Sequence, residues 1–140
     1  MLADLWATGI SPDGHPFGHL RARLEAYGIP ALSQVAGYRP GSVITVAGVV
    51  THRQRPSTAG GVTFLNLEDE TGMLNVVCGH DVWRDHRRIA VSTQAMVIRG
   101  RVERVDGVTN LVADRLGELA QLYPEAAQAL ALRLRSRDFR

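Results

Sequence analysis

Residues 43–70 read VITVAGVVTHRQRPSTAGGVTFLNLEDE, and residues 71–79 continue TGMLNVVCG. Val43 to Arg53 is β-branched at its start and polar at its end, which predicts a strand that leaves the core as it ends. Val62 to Asp69 alternates and predicts a second strand. Thr71-Gly72 predicts a turn, and Met73 to Cys78 a third strand. A basic loop containing Gly60 and Gly61 joins the first two strands, and an acidic turn joins the second to the third.

Downstream, Asp81 to Ile89 (DVWRDHRRI) predicts a short helix with Asp81 at its N-cap. Ala95 to Val105 and Val108 to Leu116 predict two more strands, joined by the hairpin signal Asp106-Gly107. The order β-β-β-α-β-β is that of the five-stranded OB-fold barrel, an all-β core with flanking helices. Upstream, Phe17, Leu20, Leu24 and Tyr27 share one helical face, Gly28 and Pro30 stop that helix, and Ala31 to Ala36 predicts a helical turn. Leu119 to Arg135 is rich in alanine and leucine and predicts a terminal helix. The expected organisation is a helical lead-in over 1–40, an OB-fold domain over 41–118, and a C-terminal helix and tail over 119–140.

Alternation assigns the strand faces. Thr63, Leu65 and Leu67 should face the core with Leu74, Val76 and Cys78. Phe64, Asn66 and Glu68 should face outward with Met73, Asn75 and Val77. Phe64 has two readings: a platform on which a base stacks, or a ring tucked beneath the loop after the first strand. Asn66 and Asn75 suit base edges or sugars. His52, Arg53 and Arg55 lead into the loop beside this face, and Arg99 and Arg101 share a face of the fourth strand. Arginine suits phosphate because its planar fork pairs two oxygens. The expected nucleic-acid-binding set is therefore His52, Arg53, Arg55, Phe64, Asn66, Asn75, Arg99 and Arg101. Arg84, Arg87 and Arg88 on the short helix are expected to be solvated, with Trp83 and Ile89 turned to the core.

The formal net charge is only +2, so binding must come from a local patch rather than a global basic field. One cysteine excludes an internal disulfide or a cysteine-rich zinc site, and suits a reduced, cytoplasmic protein. No signal peptide or membrane-length apolar run is present, so no membrane partner is expected. Glu68, Asp69 and Glu70 alternate sides and do not converge on one ion. Neither His80 with His86 nor His15 with His19 has the further ligands that zinc needs. With no nucleophile elbow and no P-loop, the expectation is no catalytic residue, no metal and no cofactor.

The run VTHRQRPSTAGGVTFLNLEDETGMLNVVC resembles the C-terminal OB domain of error-prone, DnaE-type DNA polymerases, relatives of the bacterial DNA polymerase III alpha subunit. The lead-in DLWATGIS, followed by His15-Pro16, and the terminal SRDFR resemble the segments flanking that domain. The resemblance implies a fragment without the palm that carries the polymerase's acidic metal ligands, and therefore no enzyme by itself. It implies contact with single-stranded template DNA during translesion synthesis, in DNA replication and repair after damage. It also implies, as partners, the rest of the polymerase, a Y-family-like accessory protein or the sliding clamp. Likeness to OB domains that bind tRNA anticodons puts Phe64, Asn66 and Asn75 at base-contacting positions. Val77 departs from relatives that carry an aromatic there. Two alternatives stand beside this reading: a protein-docking OB module that recruits mutasome partners, and an anticodon-binding-like RNA module.

Overall fold

The computed structural model describes residues 20–55 and 60–122. In chain order these are α1 (Arg21–Ala26), a 3-10 helix (Leu32–Gly37), β1 (Val43–Gln54), β2 (Thr63–Asp69) and β3 (Gly72–Cys78). Then come α2 (His80–Asp85), α3 (Arg87–Ser92), β4 (Ala95–Val105), β5 (Val108–Glu118) and α4 (Leu119–Leu122). The strands close a barrel in the order β1-β2-β3-β5-β4. All pairs are antiparallel except β3 with β5. This is the five-stranded OB fold, with its helical connection between β3 and β4.

The strand alternation holds. Leu65, Leu67, Val76 and Cys78 are fully buried in the barrel core with Val46, Met96, Ile98 and Leu111. The single helix expected from Asp81 to Ile89 is instead two helices that break at His86. Asp81 is not the cap: Gly79 holds that place and no side chain caps the helix. The break lets Trp83 and Ala90 both enter the core, with Val82 and Ile89 packed against it. Beyond Leu122, the predicted terminal helix lies outside the described residues, as do the lead-in before Leu20 and loop residues 56–59.

Both ends of the barrel are filled. Helices α2 and α3 follow the end of β3, whereas the 3-10 helix lies against the β2–β3 turn and sends Leu32 and Val35 into the same core. Residues assigned by sequence to the lead-in thus complete the barrel. A second, smaller apolar cluster forms outside it. There Leu20, Leu24 and Ile29 pack with Leu119 over Ala47 and Val49 of β1.

Candidate nucleic-acid interface

A β-bulge sets the geometry of the outward face. Along β1, Val46 and Val50 point inward, so strict alternation would send His52 inward too. The register instead shifts between Val50 and His52: Val50 lies opposite Leu67, and His52 lies opposite Asn66. One extra residue, Thr51, turns His52 and Gln54 outward and Arg53 to the core side beside Leu65.

Asn66 sits opposite Asn75 on β3, and Phe64 opposite Val77. His52, Gln54, Phe64, Asn66 and Asn75 thereby line one open depression of about 210 Å3, with Leu65 at its base. Phe64 is half-buried. The Asn66 side-chain amide donates weakly to Met73 Sδ at 3.5 Å, while Asn75 is exposed.

The predicted cations do not all reach this depression. Arg53 donates through Nε to the Ala90 carbonyl at 2.7 Å and through Nη2 to the Thr93 carbonyl at 2.6 Å. It ties β1 to the C-terminal end of α3, and burial lowers its pKa. Arg99 is held by Asp114, with Nε at 3.1 Å from Oδ1 and Nη2 at 3.2 Å from Oδ2. Arg55, one residue past β1, lies over the Trp83 ring at 5.8 Å from its centroid, a cation–π distance. Arg101 is exposed and forms no ion pair with a described carboxylate.

The acidic turn is a structural joint. Asp69 is only 2% exposed. Its Oδ1 accepts from the backbone N–H and hydroxyl of Thr71, both at 2.7 Å, and from the Gly72 N–H at 3.1 Å. Its Oδ2 accepts from the Leu32 N–H at 2.8 Å and from Arg21 at 3.0 Å. Among the described residues no three His, Cys, Asp or Glu side chains gather as a metal site. No described helix is long and apolar enough to cross a membrane.

Sequence reasoning missed three features. Gln54 joins the face only because of the bulge. Asp69 reads in the sequence as part of an acidic turn, but the donors it satisfies lie up to 48 residues away. Asn110 of β5 stands beside Asn75 through the parallel β3–β5 pair, which neighbour-by-neighbour alternation does not reveal.

Fold and face together define a small OB barrel with one polar, ring-bearing surface. The chain belongs to the family of OB-fold nucleic acid binding domains, whose pattern matches residues 44–119. The curated relatives it resembles are error-prone DNA polymerases, each matched over a segment of its length. The chain is 49% identical over 138 residues to the error-prone DNA polymerase of Mycobacterium bovis, covering 99% of this chain and 12% of that protein. It is 50% identical over 138 residues to that of Cutibacterium acnes, covering 98% of this chain and 11% of the relative. The chain therefore spans about 12% of the length of the curated relatives it matches. Among solved structures, the asparaginyl-tRNA synthetase of Pyrococcus horikoshii superposes with a TM-score of 0.56 at 18% identity, over 65% of this chain and 22% of that one. That likeness concerns the fold.

Proposed function

We propose that this chain is a noncatalytic module that binds single-stranded nucleic acid, and that it contacts template DNA as part of an error-prone, translesion polymerase in the cytoplasm. The observation that carries the reading is the placement of Phe64 beside Asn66 and Asn75 on one open face. A base stacks on the ring of this half-buried residue, a contact that tolerates any sequence. The amides meet base edges or sugars, and arginines beyond the depression meet phosphates. Catalysis belongs to other parts of the longer relatives. The palm, an accessory protein and the sliding clamp are the expected partners there.

The test is Phe64→Ala and Phe64→Tyr in the 140-residue chain, titrated against a labelled single-stranded oligomer at low salt. Alanine should cost one stack, about 1–3 kcal/mol, and tyrosine should bind nearly as wild type. Equal binding by all three proteins would remove the ring from the site. Val77, opposite Phe64, and Val112, opposite Val77, are both half-buried and favour a second reading in which the same face docks a protein. Loss of oligomer binding without loss of a mutasome partner would select it. An RNA ligand would show as tighter binding to RNA than to DNA of the same sequence.

A further inference from the structure

The hairpin end of β4 and β5 and the start of β3 carry an apolar row that the depression does not use. Met73, Val108 and Val105 are 65%, 54% and 49% exposed. Among the described residues six large apolar side chains are exposed, and three of them meet here. Val105 lies opposite Val108 across the β4–β5 hairpin. Asn75 is paired with Asn110 in the parallel β3–β5 ladder, and Met73 and Val108 each stand two residues before that pair. Side chains two apart share a face, so Met73, Val108 and Val105 form one outward row across three strands. Apolar residues scattered singly on a surface are ordinary, whereas a contiguous group with a polar rim marks a contact site.

The rim of this row is acidic. Glu68 lies opposite Met73 on β2. Asp106 stands in the turn between Val105 and Val108, and Glu103 lies two residues before Val105 on the same face of β4. Arg104, the adjacent cation, is turned to the Ala36 carbonyl at 2.6 Å and the Tyr38 carbonyl at 3.3 Å. Charge decides between occupants. A nucleic acid or an anionic membrane brings its phosphates against the carboxylates. A second copy docked through the same patch sets two acidic rims against each other. A cationic protein segment is attracted.

The row also has a definite length. Three adjacent strands span two spacings, about 10 Å. In an α-helix, residues i and i+7 are about 10.5 Å apart, with i+4 between them on the same face. An amphipathic helix laid across the strands thus puts one apolar residue on each of Met73, Val108 and Val105. Its flanking lysines or arginines fall beside Glu68, Glu103 and Asp106.

We propose that Met73, Val108 and Val105, with their acidic rim, dock a cationic amphipathic helix of a partner protein. One row of three side chains makes a reversible contact rather than an obligate interface. The site is separate from the depression around Phe64 and does not depend on nucleic-acid binding there.

The test titrates the 140-residue chain with a labelled peptide of about four helical turns. It carries leucines at i, i+4 and i+7 and lysines beside them. A peptide of the same composition with its leucines spread round the helix runs in parallel. The striped peptide should bind and the scrambled one should not. Val108→Ser and Met73→Ser should each weaken the striped peptide about three- to tenfold. Both side chains are exposed, so the unfolding midpoints should stay near wild type. Asp106 has a left-handed backbone, with φ 51°, which asparagine also adopts. Asp106→Asn combined with Glu103→Gln should weaken binding and flatten its salt dependence. Phe64→Ala should leave peptide binding unchanged, whatever it does to oligonucleotides. Unchanged affinity in both serine variants, or equal binding of a peptide with glutamates in place of lysines, would overturn the proposal. Loss of peptide binding on Phe64→Ala would place the helix in the depression and overturn it too. If wild type binds neither peptide, this site fails and the nucleic-acid reading is untouched.

Discussion

Arg21 and Glu70 form a two-pronged ion pair: Arg21 Nε donates to Oε2 at 2.6 Å, and Nη2 donates to Oε1 at 2.9 Å. The same Nη2 reaches Asp69 at 3.0 Å. Burial alone would lower the Arg21 pKa. The hydrogen bond and charge of Glu70, with the charges of Asp69 and Glu25, more than offset it and hold the pKa above its ordinary value. Together these contacts fasten α1 and the 3-10 helix to the β2–β3 turn.

Asp69→Ala should therefore be among the most damaging substitutions. It strips acceptors from the backbone N–H groups of Leu32, Thr71 and Gly72 and leaves Arg21 without one partner. The expected loss is about 3 kcal/mol or more in urea unfolding. Asp69→Asn should cost less, because its amide oxygen still accepts. A loss below about 0.5 kcal/mol for alanine would mean that the joint is dispensable.

Arg53 separates a structural from a binding role. Its guanidinium is committed to the Ala90 and Thr93 carbonyls. Arg53→Ala should lower stability by about 1–2 kcal/mol. The salt slope of oligomer binding should stay unchanged. A slope smaller by about one would instead make Arg53 a phosphate contact.

Gly100 permits the close approach of β4 and β5. A Cβ there would sit 2.4 Å from the Val112 carbonyl oxygen and 2.9 Å from Leu111 Cγ. The obstacle is backbone, which cannot swing aside. Gly100→Ala should destabilise by about 1–3 kcal/mol, read from the thermal midpoint. Gly37→Ala, where nothing lies within 4 Å, is the control and should change little.

Cys78 gives a pH signature. It is fully buried, and burial pushes its thiol up from 9.0 to about 11. A thiol whose folded pKa is raised contributes stability that is fully present below the unfolded pKa and lost as pH rises through the folded value. Stability should therefore fall between about pH 9 and pH 11. Cys78→Val should flatten that part of the profile. An identical slope in both proteins would assign it to other groups. At neutral pH the thiol should react with a disulfide reagent only as fast as the chain opens.

Much of the fold was legible because period-two alternation and turn residues agree along the whole barrel. Leu65, Leu67, Val76 and Cys78 point inward as expected, and β4 runs from Ala95 to Val105 as expected. The shared outward placement of Phe64, Asn66 and Asn75 was legible because it depends on neighbouring strands. Placement was not legible where geometry depends on an irregularity or a distant pairing. The Thr51 bulge reverses parity, so Arg53 and Gln54 exchange the roles that alternation suggests. Asn110 reaches the face through the parallel β3–β5 pair, with α2, α3 and β4 intervening in the chain. Asp69 satisfies donors on a segment that sequence patterning had assigned to a separate lead-in.

The most direct test of the central claim is a salt-series titration of the 140-residue chain with labelled single- and double-stranded DNA, followed by anisotropy. Single strands should bind at low salt with little base preference and more tightly than duplex. The logarithm of affinity should fall linearly with the logarithm of salt concentration. Absence of single-strand binding at low salt, or binding that ignores salt, would contradict the claim.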